Sequence, residues 1–96
     1  MKSFNIPVDT MVVTSCYATS GELPIVEVSH QDNEDGGSLW QFHCDNGDYS
    51  MTKMQLVRLE TILEIDPTVL EIADLEMGAT ARRIALGLPW TIEKDK

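Results

Sequence analysis

Basic residues are scarce in this chain. Seven Lys and Arg stand against sixteen Asp and Glu, for a net charge of −9. That balance argues against the basic surface that nucleic acid or an anionic membrane requires, so neither is expected as a partner. Cysteine is nearly absent. Cys16 and Cys44 cannot build a disulfide framework, and the simplest expectation is a cytoplasmic protein with reduced thiols. No run reaches the roughly 18 apolar residues of a membrane span. Residues 1–7 lack the apolar segment of a secretory signal, so none is expected. Internal repeats and low-complexity segments are missing too, and no catalytic signature emerges.

What is present is enough for one modest core. Ninety-six residues, 43% of them hydrophobic, make a single domain, with residues 1–9 as a lead-in and 91–96 as a flexible tail. The anchor is the stretch from Ser38 to Cys44, which alternates like a strand. Trp40, Phe42 and Cys44 share one face, and Leu39, Gln41 and His43 the other. The two aromatics bury more apolar area than any other pair so close together. Asp35-Gly36-Gly37 before the stretch and Asp45-Asn46-Gly47-Asp48 after it supply turn chemistry.

The β-branched run from Met11 to Thr19 predicts a first strand. Ser20 to Pro24 predicts a turn, and Ile25 to Ser29 a second strand hairpinned onto the first. His30 to Gly37 reads as a polar loop. A short strand is expected over Met54–Arg58 and a helical turn from Leu59 to Glu64. Asp66 and Pro67 form a good N-cap and first helical position for a helix carrying Val69, Leu70, Ile72 and Ala73, with Gly78 closing its C-terminal side. Ala79 to Leu86 suggests one more short helix, and Trp90 packs back on the domain. The fold class so predicted is α+β: a small antiparallel β-meander packed against short C-terminal helices.

The chemistry-bearing residues offer several candidate sites. His30, His43, Cys44, Asp45 and Asp48 are metal-ligand types, but their spacing matches no zinc template, and adjacent His43 and Cys44 face opposite sides of a strand. The same objection applies to a Cys–His nucleophilic pair. Asp32, Glu34 and Asp35 lack the order of a calcium loop. No catalytic residue, metal or cofactor is therefore expected. The charge itself is the strongest feature: from Glu22 to Glu76 thirteen acids accompany only two bases, Lys53 and Arg58. Such a surface attracts a basic protein partner, although acidic surfaces also serve solubility alone. The expected contact is Asp32, Glu34 and Asp35, with Glu71, Asp74 and Glu76 as a second rim if their helix packs nearby.

From Met11 to Arg83 the order of features resembles a bacterial family of small domains, the immunity-protein-33-like domain. The resemblance rests on the Val/Thr-rich first strand, Gly37-Ser38-Leu39-Trp40-Gln41-Phe42, and the acidic stretch ending at Asp48-Tyr49. It continues with Leu59-Glu60-Thr61-Ile62-Leu63-Glu64-Ile65-Asp66-Pro67, Leu75 and Gly78. It implies an immunity role, the neutralisation of a toxin domain by a non-enzymatic binding protein. A cytoplasmic adaptor or regulatory module without a toxin partner is the alternative. A small metal-dependent hydrolase using His30, His43, Cys44 and Asp48 comes third.

Overall fold

The computed structural model describes residues 4, 6–32, 38–44 and 53–94. They form a six-stranded mixed sheet with a few short helices. The strands are β1 (Met11–Ser15), β2 (Glu27–Asp32), β3 (Ser38–His43), β4 (Met54–Arg58), β5 (Ala79–Arg82) and β6 (Thr91–Lys94), in the order β4-β1-β3-β2-β5-β6. Helix α1 (Cys16–Thr19) follows β1. Helix α2 (Leu59–Ile65) and a 3₁₀ helix (Pro67–Ile72) lie between β4 and β5.

The Trp40 strand takes the interior place its composition calls for. β3 pairs in parallel with β1 and antiparallel with β2. Register puts Val12, Thr14, Val28, Trp40, Phe42, Ala79 and Ala81 on one face, and all seven are buried. Leu59 and Ile62 of α2, Val69 and Ile72 of the 3₁₀ helix, and Leu75 close over them in one cluster. Ala79 and Ala81 are small, which lets this layer approach the sheet closely. Thr14 is also buried, and its hydroxyl donates to the Phe42 carbonyl at 2.9 Å.

Four expectations need correction. The first strand stops at Ser15 instead of running to Thr19. The Thr19 hydroxyl donates to the Cys16 carbonyl and the Ser20 amide closes on the same oxygen, which favours a helical turn. Gly21, at φ +80°, ends that turn in the left-handed region. Second, no hairpin joins β1 to β2. β3 lies between them in the sheet order and pairs in parallel with β1, so the sheet is mixed and not a meander.

Third, His30 to Asp32 belong to β2 and not to a loop. Fourth, Ala79 to Leu86 is no helix. Gly78, at φ +88°, donates its amide to the His30 carbonyl at 2.6 Å, and Ala79–Arg82 then pairs with β2. Pairing along an open sheet edge outweighs the helix propensity of alanine. The two longer helices thus precede the last two strands, and residues 91–94 of the expected tail form edge strand β6.

The expectations around β4 and α2 hold. β4 is Met54–Arg58, and α2 begins at Leu59. Its first amides are satisfied by the preceding segment: Leu59 donates to the Thr10 carbonyl and Glu60 to that of Val8, both at 2.9 Å. Asp66 caps the 3₁₀ helix by accepting from the Thr68 amide at 3.0 Å, with Pro67 in its first turn. Among the described residues no helix is long and apolar enough to cross a membrane.

Candidate functional site: an acidic cleft beside Trp90

The 3₁₀ helix ends against the far end of β2. There the His30 ring stacks on Trp40, with centroids 4.0 Å apart and planes 11° from parallel. Its Nδ1–H donates to the Leu75 carbonyl at 2.8 Å. One residue of β2 therefore holds the 71–78 segment twice, through its ring to Leu75 and through its carbonyl to Gly78.

Glu71, Asp74 and Glu76 lie on this segment, all exposed. Together they line a cleft of about 380 Å³ whose other walls include Ile72, Leu75, Ala79, Trp90 and Ile92. Lys94, on β6, crosses the rim to pair with Glu76 at 2.9 Å, with both side chains two-thirds exposed. Trp90 packs against the core, and its indole N–H is buried without a hydrogen-bond partner among the described residues. The guanidinium of Arg83 sits 4.2 Å from the centre of its ring.

The second rim expected from sequence is thus one continuous surface. Asp32, from the first expected group, is the last residue of β2, two positions beyond His30, and pairs with Ser38 of β3. Glu34 and Asp35 lie outside the described residues, as do Asp45 and Asp48. The structure does not bring the metal-type residues together: His30 is on the core side of the sheet, stacked on Trp40, and His43 is on the opposite side. No group of three or more His, Cys, Asp or Glu among the described residues is arranged to hold a metal.

Sequence reading missed a second surface. Ile84, Leu86 and Leu88 follow β5 on a loop that was read as a helix, and they are 91%, 56% and 44% exposed. Their spacing of two was the available signal, but it was masked by helix-forming alanines. Leu86 and Ile65 line a largely apolar cleft with Leu23 and Pro24.

His43 lies on the polar sheet face and is buried, and its Nε2 is 2.9 Å from the Gln41 amide oxygen. Burial lowers its pKa below the usual 6.5, opposed by the charge of Glu27. The folded state therefore favours the neutral ring. Its contribution to stability is complete above the unfolded-state pKa and is lost as pH falls below about 6.5 toward the lower folded value. His43→Gln is expected to weaken the acid sensitivity of folding in that window. Denaturation curves of parent and variant at pH 7 and pH 5 check this; an equal fall in both would contradict it.

No family model, curated protein or solved structure matches this chain.

Proposed function

We propose that this chain is a non-enzymatic binding protein whose acidic cleft docks a basic protein partner. The observation that carries the reading is the convergence of Glu71, Asp74 and Glu76 on one cleft with an aromatic wall. Carboxylates at the rim attract cations over several ångströms, while Trp90 and the half-exposed Ile92 offer apolar area to the stem of a Lys or Arg side chain. The Glu76–Lys94 pair is highly exposed, and such pairs are worth about 0–1 kcal/mol, so a partner's cation displaces Lys94 at little cost.

The resemblance to the immunity-protein-33-like domain gives this partner a kind. A toxin domain with a basic active-site cleft would be met by a surface that imitates phosphate, and the opposite net charges would speed the encounter. Asp32, Glu34 and Asp35 keep in this reading the role expected of them from the sequence, as further acids for the basic partner. Co-expression with toxin domains encoded beside this chain tests the assignment. Protection of the host is expected, and killing that is equal with and without the chain would contradict it.

A further inference from the structure

Cys16 and Cys44 are the only cysteines in the chain. The parallel pairing of β1 with β3 sets Val13 beside Gln41 and Thr14 beside Phe42. The observed ladder ends at Thr14 and Phe42; continued by two residues it would set Cys16, the first residue of α1, beside Cys44, the first residue beyond β3. Ser15 keeps an extended backbone, so alternation turns Cys16 and Cys44 toward the core side that Thr14 and Phe42 share. Neighbouring strands lie about 4.8 Å apart, within the Cα separation of about 4.4–6.8 Å that a disulfide spans.

One contact places Cys44 near the end of β1. The Ser15 hydroxyl, one residue from Cys16, donates to Cys44 Sγ at 3.7 Å. Burial pushes the Cys44 thiol up in pKa, the Ser15 hydrogen bond opposes that, and the nearby Cys16 thiol adds to the upward push. Exposure differs between the two. Cys16 is partly open to solvent and Cys44 is buried, so an external reagent meets Cys16 first.

We propose that Cys16 and Cys44 form an intramolecular redox pair that reacts with an oxidised low-molecular-weight disulfide, Cys16 as the entry thiol and Cys44 as the resolving thiol. The Cys16 thiolate attacks one sulfur of the reagent, forming a mixed disulfide and releasing one small thiolate. Cys44 loses its proton and attacks Cys16 Sγ, which breaks the mixed bond, releases the second small thiol and closes the Cys16–Cys44 bond. Two protein thiols are oxidised and one reagent disulfide is reduced to two thiols. In the reduced protein the Cys44 thiol donates to the Leu23 carbonyl at 3.6 Å, and Leu23 lines the apolar cleft beside Ile65 and Leu86. Closing the bond removes that donor, so the redox state reaches the cleft.

The test is incubation of the folded chain with oxidised glutathione, followed by denaturation, maleimide labelling, intact mass and peptide mapping. The expected product is a monomer lighter by two hydrogens, without maleimide or glutathione, in which one peptide joins Cys16 to Cys44. Its Tm should exceed that of the reduced form by roughly 5–15 °C. Cys16→Ser, at a partly exposed position, should keep the fold and leave Cys44 unreacted until denaturation. Cys44→Ala should accumulate the glutathione adduct on Cys16. A stable adduct on Cys16 of the parent, with Cys44 still open to maleimide, would overturn the proposal. So would a dimer linked through Cys16, or a parent that stays fully reduced. The parent's peptide map decides even if Cys44→Ala fails to fold.

Discussion

Truncation of either aromatic on β3 is expected to lower the unfolding free energy by about 3–5 kcal/mol. Phe42 is wholly buried and Trp40 only 3% exposed. Their strand sits between β1 and β2, so the cavity left by Phe42→Ala opens where the sheet and the overlying helices meet. Trp40 has close ring neighbours on more than one side: His30 stacks 4.0 Å away, and Phe4 meets it edge-on at 4.9 Å. Trp40→Ala therefore removes the support of the ring that holds Leu75, and the acidic segment should loosen with the core. A loss of this size is a large part of the 5–15 kcal/mol typical of a domain. Urea denaturation measures it. A variant within about 1 kcal/mol of the parent, far below the cost of truncating a buried aromatic, would place that ring outside the core.

Arg83→Ala is expected to cost about as much, roughly 3–5 kcal/mol, for a different reason. Its side chain is fully buried. It donates to Asp66 at 2.6 Å, to the Ile25 carbonyl from Nε and Nη2 at 3.0 and 2.7 Å, and to the Thr68 hydroxyl at 3.0 Å. The Thr68 hydroxyl donates in turn to the other Asp66 oxygen through a short bond. One guanidinium thus ties the end of β5 to the cap of the 3₁₀ helix and to the segment before β2. Removing it leaves one oxygen of the buried Asp66 carboxylate and the buried Ile25 carbonyl without the guanidinium as donor, and that penalty exceeds the value of the contacts themselves. Asp66→Leu should also destabilise, since it removes the helix cap and strands the cation. The double variant Arg83→Ala/Asp66→Leu should lose less than the two single changes together, because neither charge remains to be stranded. Simple additivity in the double-mutant cycle would contradict the account.

The legible parts of the fold were those whose signals are local. Alternation over Ser38–His43 announced β3, and Asp66-Pro67 announced the 3₁₀ helix, because a strand's faces and a helix cap are written within a few residues. Pairing partners were not legible. Nothing within Met11–Ser15 states that its neighbours will be β3 and β4, and the parallel pair requires a chain path that local reading does not supply. Ala79–Arg82 was misread because propensity favours a helix there while an open edge of β2 favours a strand.

The candidate site divides in the same way. The acids were visible as residue types. Their gathering beside Trp90 depends on the hold of His30 on Leu75 and Gly78, contacts across 45 and 48 positions of sequence.

The central claim, docking of a basic protein on the acidic cleft, is tested most directly by the association rate with a partner obtained from co-expression. Stopped-flow traces at low and at physiological salt are to be compared for the parent, for Glu71→Gln/Asp74→Asn/Glu76→Gln, and for Asp32→Asn/Glu34→Gln/Asp35→Asn. The account predicts a fast, strongly salt-dependent rate for the parent. In the first triple variant it predicts a slower rate with a flatter salt dependence and an unchanged unfolding midpoint. A smaller change of the same sign is expected in the second. An on-rate and salt dependence unchanged in the Glu71/Asp74/Glu76 variant would contradict it.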